Sequence, residues 1–307
     1  MAGETGRCSS PGCTEPPITV LRGSGERLCA RHFSASVEGR VRETVEGTGM
    51  VQDSDVVVVG LSGGKDSTVL LSILSRLLRG RPVRVVAVTV DEGIAGYREE
   101  TIRTARAITA ACGVEHVIVS FEDYCGRTLD SLVRQRPEHP CTICGVLRRR
   151  LLQNAARDLG ATRLATGHCL DDEAQSALMN ILNGDLRRIV RTGVPDTGAF
   201  VPRIKPLRDI PEKEVTLYGV VQGIYTPLPE CPYAGEALRS DVRTLLSTLE
   251  YRHPGTMVRL MEGYGRLRER VGGCAEAGRV SYCPDCGEPS TGGLCRACEL
   301  LRDLRTR

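Results

Sequence analysis

The sequence contains no tryptophan, and aromatic residues make up only 4% of its 307 positions. Reading single-stranded nucleic acid by stacking bases on an aromatic platform demands more rings than that. Long apolar runs are missing as well. The longest, such as residues 56–59, fall far short of the ~18 apolar residues a membrane span needs. The first residues, MAGETGRC, hold no apolar stretch of the kind a secretory leader carries, so none is expected. Net charge is +3, from 41 basic and 38 acidic residues, which alone announces no polyanionic partner. The 14 cysteines are too few for a disulfide scaffold, which is shorter and exceeds roughly 8–10% cysteine. A reducing, cytoplasmic setting is expected, where clustered cysteines mean metal or catalysis. Lysine is scarcest among the charged residues. Only Lys65, Lys205 and Lys213 occur, against 38 arginines. A lysine retained in such a chain marks a place for a compact point charge that planar guanidinium does not mimic. Lys213, between Glu212 and Glu214, reads as chance survival.

What is present is an ordinary globular composition, 41% hydrophobic and 26% charged, long enough for one large core or two smaller ones. Residues 1–34 carry three cysteines, one histidine and Gly/Pro/Ser punctuation, and read as a metal-stapled module. Phe33, Val37, Val41 and Val45 recur at four-residue spacing, predicting a linker helix within 35–50. From residue 51 strands and helices alternate. Strands are expected over 55–60, 83–90, 115–120 and 162–166, and helices over 65–78, 97–111, 147–159 and 172–182. Val-rich buried strands between amphipathic helices imply an α/β fold with a Rossmann-like parallel sheet, spanning 51–235. A helical extension follows over 236–275, then a second Cys/Gly/Pro-rich module over 276–307.

Ligands of such sheets sit at the carboxyl ends of the strands, where the motifs fall. Leu61-Ser-Gly-Gly-Lys-Asp-Ser67 follows a Val-rich strand and opens a helix. Its glycines admit close backbone approach, the helix N-terminus offers free N–H groups to a phosphate, and Lys65 adds charge. It lacks the GxxxxGK[ST] pattern of a Walker loop.

Two cysteine sets have zinc spacing. Cys283, Cys286, Cys295 and Cys298 form CxxC-x8-CxxC, which suits tetrahedral zinc. Cys8, Cys13, Cys29 and His32 form a looser Cx4C-x15-CxxH, read as a second zinc site. Cys141 and Cys144 form a further CxxC with no second pair at finger spacing.

The segment Ser62-Gly-Gly-Lys-Asp-Ser67 resembles the PP-loop of the ATP-pyrophosphatase superfamily. Asp91-Glu-Gly-Ile-Ala-Gly-Tyr-Arg98, Pro140-Cys-Thr-Ile-Cys-Gly145, Thr166-Gly-His-Cys-Leu-Asp-Asp-Glu-Ala-Gln175, Pro202-Arg-Ile-Lys-Pro-Leu207 and Glu230-Cys-Pro-Tyr233 follow in order. With the terminal cysteine sets they resemble the tRNA 2-thiouridine synthetases, the TtuA-type and archaeal/eukaryotic wobble-uridine thiolases, over nearly the whole chain. The resemblance implies an ATP-dependent tRNA uridine 2-sulfurtransferase that cleaves ATP to AMP and pyrophosphate. It supplies Cys231 as third ligand, beside Cys141 and Cys144, of a [4Fe-4S] cluster with one open iron. A redox or persulfide pair, or a plain helix-capping turn, are the other readings of Cys141 and Cys144.

The implied nucleotide site comprises Gly60, Leu61, Ser62, Gly63, Gly64, Lys65, Asp66, Ser67, Val88, Arg148 and Gly167. Catalytic roles fall to Lys65, to Asp172 acting on a proton or Mg2+, and to the three cysteines. Asp171 is the alternative, and either aspartate could instead cap the following helix. Arg148, Arg149 and Arg150, with Arg187, Arg188 and Arg191, read as contacts to tRNA backbone or as a solvated basic face. Cys112, Cys125, Cys169 and Cys274 read as small buried side chains. Cys169 stands where the family usually has Asn. Expected partners are tRNA and a sulfur donor, either a ubiquitin-like thiocarboxylate carrier or free sulfide; a homodimer and no membrane association are expected. Two further readings stand: sulfur transfer to a small heterocycle, and a non-catalytic zinc/RNA-binding protein.

Overall fold

The computed structural model describes residues 6–134, 139–184, 189, 200–233, 238–272, 281–290 and 292–305. A short hairpin, β1 (Thr19–Val20) and β2 (Arg27–Leu28), leads into helix α1 (Ala30–Gly47). The helix thus begins three residues before Phe33, directly from the first cysteine-rich module. Phe33, Val37, Val41 and Val45 are fully buried, which is the burial their spacing predicts.

The centre is a five-stranded sheet in the order β5-β4-β3-β6-β7. Its strands are β3 (Val56–Gly60), β4 (Arg84–Asp91), β5 (Glu115–Ser120), β6 (Arg163–Ala165) and β7 (Arg203–Ile204). All four pairings are parallel. Between them run α2 (Lys65–Leu77), α3 (Arg98–Cys112), α4 (Phe121–Cys125), α5 (Leu129–Val133), α6 (Pro140–Asp158) and α7 (Leu170–Leu182). Side chains alternate across the sheet. Val57 and Val59 enter one core with Phe33, Leu70, Leu74 and Tyr218, whereas Val58 enters another with Ala155 and Ala156 of α6.

Helix α6 begins at Pro140, seven residues before the expected start. The segment Pro-Cys-Thr-Ile-Cys lacks apolar periodicity, but proline suits the first turn, and the His139 side chain accepts the Cys141 N–H. After β7 come α8 (Glu212–Val221), α9 (Leu238–Arg252) and α10 (Thr256–Gly272). Leu170 and Ala174 of α7 pack on Val242, Leu246 and Met257 of the last two. A second hairpin, β8 (Ser281–Tyr282) and β9 (Pro289–Ser290), and helix α11 (Arg296–Arg305) close the chain.

The sheet grows from β3 in both directions: through β4 to β5 on one side, and through β6 on the other. The connections therefore diverge between β3 and β6, which opens a crevice beyond the strand carboxyl ends. The loops 61–64 and 166–169 both end there.

Candidate active site and metal centres

The loop between β3 and α2 is held by its own serines. The Ser62 N–H donates to Ser67 Oγ at 3.2 Å, and Ser67 Oγ donates to the Gly64 carbonyl at 2.9 Å. Gly63 has φ +86°, and a Cβ there would stand 2.1 Å from the Thr101 carbonyl oxygen. Gly64 is the N-cap of α2 and has no side chain with which to cap it, which leaves first-turn N–H groups for an anion. Gly167 lies against the loop from the other strand. A Cβ on it would be 2.9 Å from the Asp66 carbonyl carbon and the Ser67 nitrogen. The two loops thus meet backbone to backbone at the divergence of the sheet. Gly60 faces elsewhere, with Leu152 of α6 filling the space beside it. Leu61 and Val88 are buried core side chains; their share in the loop is the Leu61 N–H donated to the Val88 carbonyl at 2.8 Å.

Lys65 points into carboxylates. Its Nζ donates to both oxygens of Asp66 at 2.9 Å and to Glu212 of α8 at 2.8 Å. Burial pulls the ammonium down, but the pairs with Glu212 and Asp66 outweigh it, so it stays charged. Burial pushes the Asp66 carboxyl up against the pull of Lys65. Asp171 accepts the Glu212 N–H at 2.7 Å and so caps α8. Asp172 accepts the Cys169 N–H at 3.2 Å and the Cys169 thiol at 3.4 Å, completing a capping box on α7. Cys169 is buried, and burial followed by Asp172 drives its thiol far up, so it stays protonated. Lys205 pairs with Glu173 at 2.6 Å.

Cys141 and Cys144 occupy the first turns of α6, and Cys231 approaches from the segment after α8. Cys141 is exposed; its thiol donates to the Tyr233 carbonyl at 3.4 Å. Cys144 and Cys231 pack against a buried cluster that includes Ile143, Leu147 and Leu151. Burial pushes the Cys144 thiol up to about 11, with Arg148 pulling it down and Glu92, Cys231 and Cys141 pushing it further up. The three sulfurs therefore share one electrostatic neighbourhood. They do not form a set compact enough for one tetrahedral ion, unlike the terminal cysteines. A cubane takes its three thiolates on three different irons, so wider spacing and a half-buried apolar wall suit it.

The terminal sets are compact. The ligand atoms of Cys8, Cys13, Cys29 and His32 lie within 4.8 Å of one another, as do those of Cys283, Cys286, Cys295 and Cys298. Cys13 and Cys29 stand 3.8 Å apart, and Cys286 and Cys295 3.6 Å. Four thiolates at ~2.3 Å from zinc are about 3.8 Å from each other, so both sets fit a tetrahedral ion. Each module places its second ligand pair at a helix N-terminus, α1 or α11, where the dipole favours thiolate.

Three contacts escape sequence reasoning. Glu92 is buried with Arg98, their Oε2 and Nε 2.8 Å apart, and Arg148 reaches Glu92 at 3.7 Å. Glu212 receives Lys65 and also Arg243 of α9, both at 2.8 Å. Glu288 of the C-terminal module is buried against Arg150 at 2.9 Å and Arg157 at 2.8 Å. Arg150 is thus not part of a solvated face; it anchors the C-terminal four-cysteine module. Arg187, Arg188, Arg191 and Cys274 lie outside the described residues. Glu92 and Arg98 both stand in the 91–98 segment that carries the family resemblance, but nothing in the sequence shows that they pair.

Strand, glycine loop and helix at the switch of a parallel sheet make the centre a PP-loop domain, and residues 34–224 match that family. A tRNA 2-thiolation protein NcsA of Haloferax volcanii is 40% identical, with 95% of this chain and 98% of the relative covered. The mouse cytoplasmic tRNA 2-thiolation protein 1 is 39% identical over 92% of this chain and 69% of its own. The solved U34-tRNA thiolase NcsA of Methanococcus maripaludis, described with its [4Fe-4S] cluster, superposes with a TM-score of 0.85 at 35% identity, covering 97% and 96% of the two chains. The chain belongs to the tRNA 2-thiolation branch of the PP-loop family.

Proposed function

We propose that this chain is an ATP-dependent tRNA uridine 2-sulfurtransferase. The observation that supports the reading is a capless helix N-terminus behind a glycine loop at the carboxyl end of the sheet, together with Cys141 and Cys144 at the start of α6, where the Cys141 thiol meets the Tyr233 carbonyl two residues beyond Cys231. The names of the relatives supply the substrate class. The uracil C2 oxygen attacks the α-phosphorus of ATP, the bond to the bridging oxygen breaks, and pyrophosphate leaves. Sulfide then adds at C2, and AMP departs with the former C2 oxygen. Because that oxygen is a poor leaving group, the first step is what makes the second feasible.

The N–H groups at the start of α2 and the Lys65 ammonium hold phosphate oxygens and offset the charge that develops on them. Asp66 and Asp172 flank that position and would hold Mg2+. Cys141, Cys144 and Cys231 would hold a [4Fe-4S] cluster, which supplies an open iron position for sulfide. Arg148 lies one turn beyond Cys144, between the two sites. The terminal modules, each with one Zn2+, flank a catalytic domain over 51–235 and grip the RNA. The sulfur arrives from a ubiquitin-like thiocarboxylate carrier or as free sulfide, the protein acts as a homodimer, and it works in the cytoplasm. Deleting the gene and measuring tRNA nucleosides by mass spectrometry tests the reading. Loss of 2-thiouridine is expected; an unchanged level refutes it.

A further inference from the structure

We propose that Glu92 is a positioning residue that couples the nucleotide loop to the three-cysteine site. The inference rests on the function proposed above and adds a coupling between its two halves. Glu92 follows the last residue of β4, and its side chain is 5% exposed. Burying a carboxylate with a guanidinium is poor economy for stability alone, since an apolar pair of the same volume is often as stable. What distinguishes this pair is where its members reach. Arg98 donates to the Val90 carbonyl and, at 3.3 Å, to the carbonyl of Ser62 in the PP-loop. The second guanidinium on Glu92 belongs to Arg148, which stands one helical turn beyond Cys144 on α6. One carboxylate is therefore shared between an arginine that reaches the phosphate loop and an arginine one turn beyond Cys144.

The connecting loop is tied to the same cysteines by a separate route. The Asp130 carboxylate accepts the Ala95 N–H at 3.0 Å and the Tyr233 hydroxyl at 2.8 Å. The Tyr233 carbonyl accepts the Cys141 thiol, and Tyr233 lies two residues beyond Cys231. Gly93, with φ +69° and Thr128 packed where its Cβ would be, fixes the turn that aims Glu92 inward. An anion settling on the PP-loop draws on Arg98, so the hold of Glu92 on Arg148 changes, and with it the field at Cys144. By linkage the effect is reciprocal: the state of the cysteine site feeds back on nucleotide affinity.

The test uses full-length protein with its cluster reconstituted anaerobically. The cluster midpoint potential is measured with and without α,β-methylene-ATP, which fills the loop without being cleaved. In the wild type the nucleotide is expected to shift the potential. In Glu92→Gln the shift is lost and nucleotide binding weakens ~10-fold or more, as for one member of a buried ion pair removed. Arg148→Lys, which keeps the charge, retains the shift. A wild-type potential that nucleotide leaves unmoved, or a Glu92→Gln shift equal to the wild type's, overturns the coupling while the thiolase reading stands. A wild type that takes up neither nucleotide nor iron overturns that reading and the coupling with it. If Glu92→Gln does not fold, Arg98→Lys, which cannot span Glu92 and both carbonyls, is measured with the same two outcomes.

Discussion

Replacing Glu288 with Gln removes the charge that ties the C-terminal four-cysteine module to α6. Its side chain is 5% exposed, and its partner Arg150 is 10% exposed, so the pair is effectively out of water. Arg157 is 39% exposed and well screened. Removing one member of a buried pair costs about 3–5 kcal/mol, and Arg150 retains Tyr124 and Cys286 beside it, which sets the loss at the low end, whereas a partly exposed pair contributes ~0–1 kcal/mol. The glutamine keeps the backbone bond in which the Cys283 N–H donates to the residue-288 carbonyl at 2.7 Å, so the four-cysteine turn stays intact. The loss therefore falls on docking and not on metal binding. At ~1.4 kcal/mol per factor of ten, about 3 kcal/mol raises local opening on the order of 100-fold. Hydrogen exchange of α11 measured by mass spectrometry reads this directly, with zinc content measured alongside. Arg157→Ala is the control and speeds exchange by about fivefold at most. Wild-type exchange of α11 in Glu288→Gln, at full zinc occupancy, would falsify the anchoring role.

Two predictions concern the site itself. Gly63→Ala forces a side chain into left-handed backbone, costing about 1–2 kcal/mol, and sets its Cβ 2.1 Å from the Thr101 carbonyl oxygen. Calorimetry is expected to show nucleotide affinity down at least ~10-fold with zinc content unchanged, and unaltered affinity would mean the loop geometry is irrelevant to binding. In cluster-free protein the Cys144 thiol, pushed up to about 11 by burial, is almost wholly protonated at pH 8. The thiolate is the nucleophile, so its alkylation by iodoacetamide, followed by peptide mass spectrometry, should rise ~10-fold per pH unit between 8 and 10. A rate that levels off below pH 9 would contradict the buried placement.

The features legible from sequence are those written in neighbouring residues. A Val-rich strand running into Ser62-Gly-Gly-Lys-Asp-Ser67 announces both the strand and the anion-binding helix start, because the chemistry is local to one turn. The two terminal cysteine clusters are equally local: a CxxC or CxxH pair positions two candidate ligands wherever it folds. Val57, Val58 and Val59 reveal a strand buried on both faces because side-chain direction alternates whatever the neighbours are.

What only the tertiary structure decided is which distant charges share a space. Nothing in the spacing of Arg148, Arg149 and Arg150 shows that the last is buried on Glu288 while the first reaches Glu92. Asp171 and Asp172 are adjacent, yet one caps α8 and the other α7. The Val88 carbonyl accepts the Leu61 N–H at the start of the loop, while its side chain falls on the α6 side of the sheet. Periodicity reports how a segment is buried. The partner of a buried charge is set by how helices cross the sheet, and that information is spread over the whole chain.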